Sequence, residues 1–145
     1  MDILATMITG VTFGAFDLLH TGHVMFLKEA ARQCDLLTVG LHLDPSIERP
    51  EKSKPVQSIF ERYTQLEELR SVSTVMPYET EKDLDYILRN YRYDKRFLGS
   101  DYRQAFDERK VGSQNTCMLI RTEIVFITRF HNYSSTELRE RIKNG

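Results

Sequence analysis

The chain predicts an α/β fold in which one five-stranded parallel sheet is flanked by helices. Three observations carry that reading. Short β-branched and aromatic runs recur along the chain, and helical patterns with one apolar side separate them. The first strand–helix–strand passage takes about 35 residues, which suits a right-handed βαβ crossover and therefore parallel strands. The length of 145 residues favours one compact unit with a sizeable core, so residues 1–145 are read as a single domain.

Residues 7–13 are β-branched and aromatic and predict a buried strand. Gly14 follows, where the chain is expected to turn and to approach a ligand closely. Val24, Leu27, Ala30 and Ala31 then fall at helical spacing as an apolar stripe. Residues 36–41 predict a second strand. Residues 42–57 read as a loop punctuated by Pro45, Pro50 and Pro55. That loop carries Lys52 and Lys54 just past the C-terminal end of the second strand, the edge at which open α/β sheets bind ligands.

Ser58 and Glu61 form a capping-box pattern that opens a helix to about residue 70, with Ile59, Leu66 and Leu69 on one side. Residues 72–76 predict a short strand ended by Pro77. Thr80 caps a further helix bearing Leu84, Ile87 and Leu88. Residues 95–98 predict a fourth strand, which turns at Gly99-Ser-Asp101-Tyr102. Residues 103–122 are polar and support no assignment. Residues 123–128 predict the fifth strand. Ser134 and Glu137 form a second capping box, opening a C-terminal helix with Leu138 and Ile142 turned inward.

The formal net charge of −1 argues against nucleic acid or a membrane surface as partner. No apolar run is long enough to span a bilayer. Residues 1–19 lack the basic start of a signal peptide, and Asp2 and Asp17 interrupt them. Cys34 and Cys117 fit no CxxC spacing. They read as two reduced, buried thiols of a cytoplasmic protein.

The stretch Gly14-Ala15-Phe16-Asp17-Leu-Leu-His20-Thr-Gly22-His23 lies between a strand and a helix start. Backbone N–H groups and the positive end of the helix dipole suit an anion there. Two imidazoles three residues apart can face one bound phosphate and, as imidazolium, offset charge that develops during phosphoryl transfer. A packed histidine pair and half of a zinc site are the competing readings. Arg129 leaves the last strand before Ser134, Ser135 and Thr136, which set three hydroxyls at a helix start. An ordinary N-cap explains one of them. Lys52 and Lys54 also read as a solvated pair. Asp17 and Asp101 each follow a strand and suit a hydroxyl, an amine, a metal-bound water or a plain turn. There is no G-x-x-x-x-G-K-[ST], no G-x-G-x-x-G and no nucleophile elbow, so phosphate handling falls to another arrangement.

These segments resemble the small HxGH cytidylyltransferases, most closely glycerol-3-phosphate cytidylyltransferase. His20-Thr-Gly-His23 is similar to the HxGH segment, Glu61-Arg62-Tyr63 to an ERY stretch, Leu98-Gly-Ser-Asp101 to the G-D-D turn, and Arg129 to Thr136 to R-T-x-G-I-S-T-T. The resemblance implies a Rossmann-like nucleotidyltransferase fold, CTP as co-substrate, Mg²⁺, a small phosphorylated alcohol such as glycerol 3-phosphate as acceptor, and a homodimer. It implies that His20, His23, Lys52 and Arg129 stabilise the transferring phosphoryl group. It places Gly14, Ala15, Phe16, Asp101, Arg129, Tyr133, Ser134, Ser135 and Thr136 around CTP, and Asp17, Lys52 and Arg62 near the substrate. Arg62 and Arg70 match arginines near the site or the dimer contact. The alternatives are phosphocholine, phosphoethanolamine or another small phosphate as acceptor, an adenylyltransferase using ATP with a phosphorylated sugar or vitamin precursor, or a non-catalytic nucleotide-binding module. This chain departs from the pattern at Ala15, where the glycerol-3-phosphate enzyme has Thr, at Ser100, and at His131-Asn132-Tyr133.

Overall fold

The computed structural model describes residues 6–103, 113–129 and 133–145. Five strands, β1 (Thr9–Gly14), β2 (Leu36–His42), β3 (Thr74–Tyr78), β4 (Lys95–Gly99) and β5 (Glu123–Ile127), form one sheet of order β3-β2-β1-β4-β5. Every pairing is parallel. The helices are α1 (Thr21–Arg32), α2 (Ile59–Glu67), α3 (Glu81–Tyr91), α4 (Gln114–Leu119) and α5 (Ser135–Asn144). The order reverses between β1 and β4, which opens a crevice at their C-terminal ends. The register sets Gly14 level with Leu41, and Gly99 level with Ile127.

Both faces of the sheet are covered, as a parallel sheet requires. On one side Leu37, Val39, Leu41, Phe97 and Ile127 pack with Leu27 and Ala30 of α1 and Leu66 of α2. On the other, Val11, Tyr78 and Tyr93 pack with Leu84, Ile87 and Leu88 of α3 and Cys117 of α4. The box expected at α2 forms between Ser58 and Glu61, and the Thr80 cap of α3 is itself a box with Asp83, whereas the box expected at α5 is a one-way cap from Ser134 to the Glu137 N–H. No helix among the described residues is long and apolar enough to cross a membrane.

Several expectations are corrected. Pro77 does not end the third strand but lies inside β3, paired with Leu41. The strand is at the sheet edge and has one neighbour, so the missing N–H is tolerated. Val24 is 40% exposed, so α1 turns Gly22, Leu27 and Ala30 inward instead. Ile142 is 66% exposed and α5 buries no residue. Cys34 is half-buried, and only Cys117 is buried; both are free. The turn expected after the fourth strand forms as the 3₁₀ turn Ser100–Tyr102, and the unassigned stretch contains α4. Residues 1–5, 104–112 and 130–132, including His131 and Asn132, lie outside the described residues.

Arg62 joins the loops at the crevice. It is 2% exposed. Its guanidinium donates to the backbone carbonyls of His42 (2.7 Å), Leu43 (2.7 Å), Ala15 (3.0 Å) and Gln57 (3.1 Å). These oxygens lie in the β1 turn, at the end of β2 and before α2. The arginine expected near the substrate is therefore spent on backbone, and its role is to hold the walls of the site. Arg62→Ala leaves several buried acceptors unsatisfied at about 1–3 kcal/mol each, so the expected loss of unfolding free energy is about 3 kcal/mol or more. A urea titration showing a loss below about 1 kcal/mol would contradict the clamp.

Candidate active site

The chain leaves β1 through a strained turn. Phe16 and Leu18 adopt φ of 48° and 53°, the left-handed region, and no described glycine does. The strain expected at Gly14 therefore sits on its neighbours, at about 1–2 kcal/mol each. Gly14 is required for space: a Cβ there would lie 3.1 Å from Phe16 Cε2. Contacts from distant segments hold this geometry. The Leu18 N–H donates to Gln57 Oε1 (2.8 Å), and the Ser135 hydroxyl donates to the Asp17 carbonyl (3.1 Å). The Asp17 carboxylate accepts from the N–H groups of Val56 (2.8 Å) and Gln57 (2.9 Å) and pairs with Arg139 (2.9 Å). Asp17 was expected near the substrate. Its oxygens are instead committed to tying the turn, the Lys52 loop and α5 together.

The turn delivers His20 as the N-cap of α1. His20 Nδ1 accepts from the Gly22 N–H (3.0 Å), and His23 Nδ1 accepts from the His20 N–H (3.3 Å). The rings stack with centroids 3.8 Å apart, and Phe16 packs beside His23 at 5.3 Å. Because each Nδ1 is an acceptor, the proton of each neutral ring belongs on Nε2. Burial, reinforced by the neighbouring His20, lowers the His23 pKa to about 3. Without ligand, His23 is therefore a neutral Nε2–H donor near pH 7. The helix start also offers fewer backbone donors than expected, since the histidines themselves take two N–H groups.

The pair lines a cavity of about 1280 Å³ over the crevice. Single ligand sites commonly span roughly 300–1,000 Å³, so this one has room for two substrates. Lys52, Arg129, Asp101, Gly14, Ala15, Phe16, Tyr133, Ser134 and Ser135 also line it. Lys52 lies 5.9 Å from the Tyr102 ring centroid. Lys54 is exposed and is not among the lining residues. Arg129 approaches Asp101 (3.4 Å) and donates to the Tyr133 carbonyl.

The hydroxyl triplet does not converge. Ser134 Oγ caps α5 by accepting from the Glu137 N–H (3.0 Å), Ser135 is bound to Asp17, and Thr136 is exposed outside the cavity. The zinc reading also fails among the described residues, where no three His, Cys, Asp or Glu are placed to hold a metal. Several lining residues carried no expectation, Arg96, Arg49 and Tyr78 among them. Arg96, inside β4, is buried against the same cavity. The available signal was a charge within a strand that the topology makes central.

Comparison with known proteins places this geometry. The cytidylyltransferase-like family matches residues 11–141. The chain belongs to that family. Within it, the chain is 35% identical over 139 residues to the bifunctional protein HldE of Rhodopseudomonas palustris (strain BisB18), covering 94% of this chain and 27% of that protein. The chain thus spans about a quarter of the length of that relative. The crystal structure of the lipopolysaccharide core biosynthesis protein from Thermoplasma volcanium GSS1 is 30% identical, with a TM-score of 0.71, covering 86% of this chain and 99% of that one. The pantoate-beta-alanine ligase of Francisella tularensis, solved with beta-gamma ATP and beta-alanine, shares the fold at 15% identity and a TM-score of 0.61. The family expected from the motifs therefore holds. These relatives do not single out glycerol-3-phosphate cytidylyltransferase within it.

The depressed His23 pKa makes a prediction with a definite sign. Between about 3 and the ordinary 6.5, the unfolded chain binds a proton that the folded chain refuses, so stability falls as pH drops through that window. Urea unfolding from pH 7 to pH 4 should show a steeper loss for the wild type than for His23→Asn. Equal slopes would contradict a buried neutral His23.

Proposed function

We propose that the chain transfers a nucleotidyl group from a nucleoside triphosphate to a small phosphomonoester and releases pyrophosphate. The observation that supports this best is the stacked His20–His23 pair, its Nδ1 atoms tied to backbone N–H groups, in one cavity with Lys52 and Arg129. A phosphate oxygen of the acceptor attacks the α-phosphorus in line. The new P–O bond forms as the bond to the β-phosphate oxygen breaks, and pyrophosphate carries the electron pair away. No covalent enzyme intermediate and no general base are required. Catalysis is positioning plus charge stabilisation.

The two Nε2–H groups donate to the non-bridging oxygens of the transferring group, while Lys52 and Arg129 supply formal positive charge. Mg²⁺, which keeps most of its ligands as phosphates and water, would arrive on the triphosphate and neutralise its charge. Asp101, beside Arg129, is one of the carboxylates that line the cavity. A homodimer is part of the same proposal; exposed Val56 and Phe60 beside the start of α2 suit such a contact, and sedimentation of the intact chain checks it.

The acceptor we favour is a phosphorylated sugar. The likeness to a lipopolysaccharide core biosynthesis protein draws the acceptor from glycerol 3-phosphate toward sugar chemistry. It thereby favours ATP with a phosphorylated sugar as the second donor reading beside CTP. A pyrophosphate-release assay that crosses CTP and ATP with hexose and heptose phosphates, glycerol 3-phosphate and phosphocholine decides among them. Tight nucleotide binding with no release over the panel would leave a non-catalytic module.

His20→Ala and His23→Ala should each cut turnover by at least ~10²-fold with the fold retained, the scale of losing one preorganised donor. Lys52→Ala should cost far more activity than Lys54→Ala. Near-normal release by both histidine variants, or the reverse order of the lysines, would overturn the assignment.

A further inference from the structure

Arg96 has no place in the chemistry proposed above, yet its burial demands one. The side chain is 4% exposed and projects from β4, between β1 and β5. Its guanidinium lies 5.2 Å from the Phe13 ring centroid. Nη1 donates to the Ser113 hydroxyl and reaches Cys117 Sγ at 3.9 Å. Nε has no hydrogen-bond partner, and among the described residues no carboxylate lies within ion-pair distance of Arg96. Asp85, which also acts on the Cys117 thiol, is taken by Thr116 and Arg89. An arginine remains charged in any protein environment, and a buried unpaired charge is costly.

A second arginine shares the buried, unpartnered Nε but is partly exposed and faces a carboxylate. This is Arg49, from the loop after β2, whose Nη2 stands 3.6 Å from Glu81. Arg96, Arg49 and Tyr78 line the same cavity as the histidines. Burial raises the Tyr78 pKa foremost, Glu81 adds to the rise, and Arg96 and Arg49 both oppose it, so the two cations lie close to that hydroxyl. This region stands over the α3 and α4 face of the sheet. The histidine pair stands at the start of α1, which packs on the opposite face.

We propose that Arg96, assisted by Arg49, is an anion subsite that binds the phosphate-bearing second substrate, apart from the histidines that serve the transferring phosphoryl group. It rests on the reading of the cavity as a nucleotidyl-transfer site. The guanidinium lines the cavity, and a phosphate or carboxylate oxygen there would provide the counter-charge that no described residue supplies. Such a charge-assisted bond contributes about 1.5–3 kcal/mol, or about 10- to 100-fold in affinity.

Inorganic phosphate is the probe, measured by calorimetry in a Lys52→Ala background that weakens the other phosphate site. Adding Arg96→Met should weaken phosphate binding at least ~10-fold. The unliganded unfolding midpoint should hold steady or rise, because a buried unpaired charge has been replaced by an apolar side chain. Arg96→Lys, which keeps the charge and loses the fork, should also bind phosphate more weakly than Arg96. In the transfer assay, Arg96→Met should raise the acceptor KM and leave that of the nucleotide near wild type. A fall in the unliganded midpoint would make Arg96 a structural ion and overturn the proposal. Unchanged phosphate affinity, or no measurable phosphate binding in the Lys52→Ala background, would also overturn it. Absence of transfer with every acceptor would remove the reaction proposed above while the phosphate measurement still decides the subsite.

Discussion

The site depends on Arg62. One guanidinium, nearly inaccessible to water, collects four carbonyls from three segments. These carbonyls follow β1, end β2 and precede α2, where chain leaving a parallel sheet has lost its ladder partners. Buried carbonyls without donors are costly. The clamp satisfies them together and keeps the β1 turn fixed against the Lys52 loop. Asp17 performs the complementary task for N–H groups, joining Val56 and Gln57 to Arg139 of α5. Against that scaffold the left-handed Phe16 and Leu18 can persist, because the surroundings over-determine them.

What the scaffold delivers is a pair of imidazoles with assigned tautomers. The helix start orients both rings through their Nδ1 atoms, so the donors are settled before any ligand arrives. Preorganisation of this kind is effective in phosphoryl transfer, since little reorganises as charge develops. Burial keeps His23 neutral, which avoids two adjacent cations in a 3.8 Å stack. Formal positive charge comes instead from Lys52 and Arg129, on other elements of the cavity wall. Arg96 and Arg49 add a further cationic region toward α3.

Sheet topology and the histidine motif were legible because both are local signals. Alternating strand and helix patterns name the fold, and His20 and His23 are three residues apart at a strand–helix junction. Pro77 misled because its tolerance depends on β3 being an edge strand, a property of the assembled sheet. Asp17 and Arg62 looked like ligand groups, being charged residues near a motif. Their partners are 39 to 122 positions away for Asp17 and up to 47 for Arg62, beyond any window of periodicity. The protonation of His23 was equally illegible, since spacing carries no information on burial. Arg96 was hidden by its strand, whose signal is weak because its charged residues break the apolar pattern. The hydroxyl triplet was over-read: the cap takes Ser134, and the turn takes Ser135.

The central claim is that the His20 and His23 rings, each held through Nδ1, meet a nucleotide's phosphates through Nε2–H. Nitrogen-15 spectra of the imidazoles test it most directly, at pH 7, before and after adding a non-hydrolysable nucleoside triphosphate. Both rings should carry the proton on Nε2 in the free protein, and the Nε2 resonances should move on binding while Nδ1 keeps its backbone partner. A free-state His23 that is doubly protonated, or protonated on Nδ1, would contradict the account. So would Nε2 signals indifferent to a triphosphate that binds.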